Sequence, residues 1–399
     1  MSSSETAAGK LSTRPTRQEF SFVAELSAIS ISRMFGLFMV LPVVALWSRS
    51  LNGATPLLVG IAVGGYGVTQ ALLQVPFGAL SDRIGRGPVV VLGLSLFLIG
   101  SVIVASADSI HGVIAGRFLQ GAGAVSATLS AWLADLTREQ VRTISMALFG
   151  AGIGVSFLLA LVLGPLLANL LRVRGLFWAS AACGALGIAL TLHAWWRQPK
   201  QRVIAEKPRT DWRRVLRREL LTLDLAVLGL HAALTGFFVV APFLLIDRLR
   251  FPDSQHWVFY AGTLAASLLI AVPMIALAGR RADRNFNLLA VALMLIGLVS
   301  MIWASTLAWF AVGCTLFFAG FSYLEASLPA LLSIRADAGQ RGASMGVFSS
   351  AQFFGAFVGA TVCGWMVGVA DAAYGMGALA VIIGVWLLFE AGKLVRPAP

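Results

Sequence analysis

Of the eighteen Asp and Glu residues in this sequence, Glu325 alone lies deep inside a long apolar stretch, while Glu25 and Asp224 sit near the ends of theirs. At a helical rise of about 1.5 Å per residue, Glu325 is roughly 14 Å from the nearer end of its stretch, and Arg33 and His231 are each roughly 16 Å from the ends of theirs. A carboxyl, a guanidinium and an imidazole on three separate stretches therefore share one depth. Ionisable groups are costly in hydrocarbon and there mark ion pathways. A carboxyl that gains and loses a proton at such a place can couple solute movement to a proton gradient. Glu325 is the expected coupling group, tuned by Arg33 or by His231, whose ordinary pKa of about 6.5 suits proton handling. The alternative is a permanent buried ion pair that fixes helix packing, and for His231 a plain hydrogen bond.

Other polar groups in apolar surroundings are few. Tyr66, Gln70 and Gln74 recur every four residues and share one helical face, either as hydrogen-bonding groups of a substrate cavity or as interhelical glue. Arg117 lies roughly 26 Å from the inner end of its stretch at the same rise, too far out to pair directly with Glu325. The cysteines, Cys183, Cys314 and Cys363, all fall in apolar runs without metal-ligand spacing and are read as packing residues. No phosphate-binding loop of the G-x-x-x-x-G-K-[ST] type occurs, and no metal or cofactor is expected.

The elements that must position these groups follow from composition. Of 399 residues, 58% are apolar and 12% charged, which excludes a soluble enzyme and a disordered chain. Twelve apolar runs, each long enough for a membrane helix, fall near 22–48, 57–80, 88–107, 110–134, 143–170, 175–196, 220–246, 256–279, 287–304, 307–334, 343–368 and 372–391. The first is too long for a signal-peptide core and is expected to remain as a span. The chain divides into a tail (1–20), a six-helix half (21–196), a basic linker (197–219), a second six-helix half (220–392) and a short tail (393–399).

The net charge of +12 sits in the loops. Short connections make neighbouring spans antiparallel, and 23 of the 30 Lys and Arg residues then fall on one side, 5 on the other and two within spans. By the positive-inside rule the richer side, here called inner, is cytoplasmic and holds both termini. This distribution suits a lipid bilayer and not nucleic acid.

The halves repeat one another. Gly78-x-x-x-Asp82-Arg83 returns as Gly279-x-x-x-Asp283-Arg284, and Arg142-x-x-Ser145-Met146-x-x-Phe149 as Arg341-x-x-Ser344-Met345-x-x-Phe348, at offsets of 201 and 199 residues. Duplication of a six-helix unit about an axis normal to the membrane is one known transporter plan. Gly60/Gly64 and Gly355/Gly359 have the small-xxx-small spacing of close helix approach, and Trp47, Trp195 and Trp257 are read as interfacial anchors.

The loop after the second span, with Gly78, Leu80, Asp82, Arg83, Gly85 and Arg86, resembles the signature of the major facilitator superfamily, with Gly87 where a basic residue often follows. Arg117, Gln120, Gly121, Gly123 and Ala124 in the fourth span are similar to its second motif, and Asp135 follows at that span's inner end. Arg33 through Pro42 and the Gly346–Gly364 region resemble the YajR-type, drug:proton antiporter-like branch. In the fifth span Gly164-Pro165 match the antiporter motif, whereas Ala160, Ala168 and Asn169 replace its glycines.

The resemblance implies an all-α membrane protein of twelve helices in two six-helix halves, working by alternating access. It implies that spans one, four, seven and ten face a central cavity, so Arg33, His231 and Glu325 can meet. It implies that Asp82 stands beside the inner start of span eleven at Ala343, Ser344 and Met345, with Arg86 and Asp135 completing a cytoplasmic charge network, and that Arg117 serves the protonation cycle or helix packing. An additional C-terminal soluble domain, present in some relatives, is not expected, since Pro399 follows closely on the last run.

The resulting expectation is a monomeric inner-membrane exporter of small amphipathic compounds coupled to protons. Proton-coupled import of a metabolite and a non-transporting receptor or assembly factor on the same fold are the competing readings. The scarcity of polar groups around the cavity favours an apolar or amphipathic substrate over a sugar.

Overall fold

The computed structural model describes residues 15–198, 210–279, 284–337 and 339–395, and among them the regular structure is helical apart from one bridge between Asn52 and Ser109. The helices are α1 (Arg17–Phe38), α2 (Leu41–Arg49), α3 (Pro56–Ile84), α4 (Arg86–Ser106), α5 (Ile110–Ala122), α6 (Ser126–Asp135) and α7 (Glu139–Arg197). They continue with a short α8 (Trp212–Val215), then α9 (Arg218–Phe243), α10 (His256–Ala278), α11 (Arg284–Ile302), α12 (Leu307–Arg335), α13 (Arg341–Val369) and α14 (Ala372–Val395). A π-helical turn, Leu244–Arg248, extends α9. Residues 199–209 of the linker, Lys207 among them, and Asp283 of the second repeat lie outside the described residues.

Side-chain caps start several helices by satisfying amides that no helical carbonyl can reach. Thr16 and Glu19 form a reciprocal capping box on α1, and the hydroxyls of Thr55, Ser109 and Thr306 accept from the amides of Leu58, Gly112 and Trp309. Gly85, at φ +98°, makes the turn from α3 into α4 that a side chain would strain.

Ten helical stretches among the described residues are long and apolar enough to cross a membrane. Two features bear on the expected twelve. The 59 residues of α7 contain Arg172 in a left-handed conformation, φ +58°, and the chain reverses there. Its first arm runs with α1, Gly152 lying against Ile31 and Gly164 against Met39; its second runs against α1, with Ser180 donating to the Gly36 carbonyl and Arg197 pairing with Glu25. The run at 110–134 is divided into α5 and α6 by Gly123, Ala124 and Val125, each half too short to span alone. Counting α7 twice and α5–α6 once gives twelve passages. Another expected continuous span, 22–48, is also broken, at Met39 and Val40 before Pro42.

The first passages meet the later ones along α3 and α13. Gly60 and Gly64 lie against Ala360 and Ala356, Gly67 against Phe353, and Gly364 against Pro56, at distances where an added Cβ would collide with backbone. Ser350 Oγ donates to the Ala71 carbonyl at 3.0 Å. Nearly all of α9 and of the α1–α2 passage is buried, whereas α10, α11, α14 and both arms of α7 expose broad apolar faces, the arrangement expected of central and lipid-facing helices. The outer side is closed by this seam, by the Arg49–Asp247 ion pair at 2.9 Å and by the Asn169 amide donating to the Ser254 carbonyl at 2.7 Å.

Candidate transport site

His231 and Glu325, each well inside its long apolar helix, α9 and α12, come together with Nε2 and Oε2 3.5 Å apart. His231 is buried, while the Glu325 side chain is about one-third exposed (36%). The imidazole Nδ1 lies 3.2 Å from the Val227 carbonyl, one turn back on α9. A carbonyl can only accept, so Nδ1 carries the hydrogen and Nε2 is the acceptor nitrogen. The Gln352 amide on α13 donates to that Nε2 at 2.8 Å.

Over the pair lies an aromatic layer drawn from both sets of helices. Phe321 meets the His231 ring edge-on at 5.9 Å and Phe157 of α7 at 6.1 Å; Phe157 meets Phe38 at 4.9 Å, Phe38 meets Tyr66 and Tyr66 meets Phe353. A partly exposed carboxyl below a ceiling of aromatic rings can hold an amphipathic molecule by its apolar part and sense its charge.

Arg33 corrects the expectation drawn from depth. It is fully buried inside the first set of helices, Nη2 donating to Gln70 Oε1 at 2.7 Å and the guanidinium lying over the Phe97 ring, and it does not join Glu325. The reason is direction around the helix: α1 turns this residue toward α3 and α4 and away from α9 and α12. Tyr66, Gln70 and Gln74 are likewise buried, at 2%, 0% and 1% exposure, and in this state act between helices and not as an open cavity wall. Tyr66 reaches Thr235 on α9 and lies under the Arg117 guanidinium, 4.5 Å from ring centre to Cζ.

The fourth-span motif has a clear local use. Arg117 donates to the carbonyls of Ala62 and Val63 on α3 and to Gln120 Oε1, and Gln120 Nε2 donates to Ser101 on α4. Gly121 lets α5 approach the Tyr66 carbonyl so closely that a Cβ would overlap it. Three helices are thus held by one guanidinium, one amide and one missing side chain.

At the inner side Arg86 gathers the expected network, with Asp82 at 2.7 Å, Asp135 at 2.9 Å and Ser81 Oγ at 2.5 Å. This ties the end of α3 and the start of α4 to the end of α6. Gly78 lies near Ala127 on α6, Gly85 supplies the turn and Arg83 is exposed. The ring of Trp195 fills the space above Gly87, where a side chain would collide with it. Each inner ion pair named here, together with Glu19–Arg138, Glu25–Arg197 and Arg217–Asp337, joins helices of one set.

Sequence reasoning missed Gln352, Phe321 and the Arg49–Asp247 pair. Spacing carries no sign of them, because each is defined by a partner more than a hundred residues away or by a ring on another helix.

A bundle of apolar helices in two sets, closed on the outer side over a partly exposed ionisable pair, has the architecture of a membrane carrier. The sequence model of the Major Facilitator Superfamily matches residues 26–360, and the chain belongs to that family. It is 41% identical over 370 residues to the inner membrane transport protein YajR of Escherichia coli (strain K12), covering 91% of this chain and 81% of that one. It is 28% identical over 336 residues to the multidrug resistance protein MdtL of Escherichia coli O9:H4 (strain HS), covering 82% of each. In structure it is similar to a bacterial homologue of the human lysosomal transporter Spinster in an inward-facing and occupied conformation, with a TM-score of 0.75 at 13% identity over 95% of this chain and 97% of the other. The protein is thus a multi-pass membrane transporter of this superfamily.

Proposed function

We propose that the protein is a proton-coupled exporter of small amphipathic compounds, seated in the inner membrane with both termini cytoplasmic. The observation that carries the reading is the His231–Glu325 pair, a partly exposed carboxyl deep in the bundle beside a neutral imidazole. A carboxyl in such a place exchanges one proton with solvent on whichever side is open, and a cationic or polar ligand competes with that proton for the same charge. The aromatic layer of Phe38, Phe157, Phe321 and Phe353 gives the apolar half of the recognition and offers few fixed hydrogen bonds. Similarity to a multidrug resistance protein accords with this substrate class.

Asp82, Arg86 and Asp135 serve as the inner hinge of alternating access, with Asp82 facing the inner start of α13 when the inner side closes. There the free amides and positive dipole end of the helix attract the carboxylate. The test is flux in proteoliposomes with a panel of amphipathic dyes and an imposed pH gradient. Accumulation that collapses with a protonophore is the expected result; accumulation indifferent to the gradient contradicts proton coupling.

A further inference from the structure

Gln352 stands between two parts of the molecule that proton coupling must connect. Its side chain donates to His231 Nε2, and its neighbours along α13 form the junction with α3: Ser350 bonds the Ala71 carbonyl, Phe353 meets Tyr66, and Gly355 and Gly359 lie against the α9 backbone at Leu228 and Ala232. We infer that Gln352 is the positioning residue that transmits the protonation state of the His231–Glu325 pair to the α3–α13 seam holding the outer side closed.

The bonding follows from donor and acceptor inventories. In the structure Nδ1–H is directed to Val227, so Nε2 has a lone pair and the Gln352 amide satisfies it. When Glu325 gives up its proton to the ring, its O–H bond breaks, an Nε2–H bond forms and the carboxylate keeps the electron pair. The Gln352 NH₂ then confronts a second donor at hydrogen-bond distance, an arrangement with no acceptor. The amide must turn its carbonyl oxygen to the ring or withdraw, and either movement is felt at Ser350 and Phe353, less than one helical turn away. Because Glu325 Oε2 lies 3.5 Å from the same Nε2, the carboxylate competes for the new N–H, draws it away from Gln352 and reinforces the change.

The other ionisable groups on α9 and on the elements packed against it, among the described side chains, are Arg218, Glu219 and Asp224 on α9 itself, Asp224 two turns toward the inner side; Tyr66, which reaches Thr235, Asp82 and Arg83 on α3; Arg49 on α2, over Phe243 at the outer end; Asp247 and Arg248 in the π-helical turn; Cys314, Tyr323 and Arg335 on α12; Arg341 and Cys363 on α13; and Tyr374 and Glu390 on α14. Among the described residues the imidazole has Glu325 Oε2 at 3.5 Å as its charge partner and the Gln352 amide at 2.8 Å as its side-chain hydrogen-bond partner.

This inference rests on the proton-coupled reading, and its test separates the two. Spin labels at Ser50 and Asp253, exposed at the outer ends of the two sets of helices, report the outer distance in the reconstituted full chain between about pH 5 and pH 8, the range in which imidazole titrates. No substrate is needed. In the wild type the distance distribution should lengthen on acidification, and Glu325→Gln should abolish or displace that transition. Gln352→Leu should leave the distance insensitive to pH. Gln352→Glu, which offers an acceptor in its ionised form, should restore the transition with a midpoint raised by about one pH unit or more. A wild-type transition in Gln352→Leu, or insensitivity in both Gln352 variants, overturns the role of Gln352 while leaving proton coupling standing. A wild type without any transition overturns both.

Discussion

Arg33 and Glu325 show what counting residues along a helix can and cannot give. Their common depth follows from a rise of about 1.5 Å per residue, but whether they meet depends on rotation about two helix axes and on which helices are neighbours. His231 met Glu325 because α9 and α12 turn those residues toward each other, and Arg33 went to Gln70. The chemistry of the fourth span was more legible, since Arg117 and Gln120 act within a few residues of each other. Replacing Arg117 with Lys should destabilise the protein even though charge is kept, because a single ammonium cannot reproduce the guanidinium's fork to two carbonyls and Gln120. Gly121→Ala should also be destabilising, by about 1–3 kcal/mol as overpacking usually costs, since α5 must withdraw from Tyr66. Thermal unfolding in detergent checks both; an unchanged midpoint for Gly121→Ala contradicts the close approach.

At the scale of elements, the apolar runs located nearly every helix because a bilayer demands about 20 apolar residues per passage. The interruptions were less visible. Pro42 marks the break in the first passage, whereas the one between α5 and α6 falls where Gly123 lies so close to the Gly93 carbonyl of α4 that an added Cβ would collide with it. The exposed Arg49–Asp247 pair joins α2 to the turn after α9, beside an outer cavity of about 660 Å³ also lined by Thr55, Phe243, Arg248 and Asp371. Exposed ion pairs contribute about 0.2–1 kcal/mol, so Asp247→Asn should shift the balance toward outer opening by at most roughly fivefold, without loss of folding. Outer-end distances between Ser50 and Asp253 measure this, and an outer side held more firmly shut is the opposing result. On the inner side, Asp82→Asn should raise the reactivity of a cysteine at Gly346, whose Cβ position is open, by weakening the inner closed state. Unchanged reactivity removes Asp82 from the gate.

For the whole molecule, the charge asymmetry of 23 against 5 predicts that the richer side faces the cytoplasm. Cysteines at Ser50 and Asp253 should react with an impermeant reagent applied outside sealed cells, and cysteines at Arg83 and Arg213 should not; labelling at Arg213 reverses the orientation. In the proposed transport cycle, closure on the outer side, the seam between α3 and α13 and the ionisable pair beneath it belong to one state, and the other state opens the seam. The central claim is that Glu325 carries the proton of that cycle. Glu325→Gln keeps the shape of the protonated acid, and the measurement is transport of an amphipathic dye by this variant in proteoliposomes, as exchange at equal pH and as accumulation under a pH gradient. The account predicts that exchange persists while gradient-driven accumulation is lost; accumulation at the wild-type level and pH dependence would contradict it.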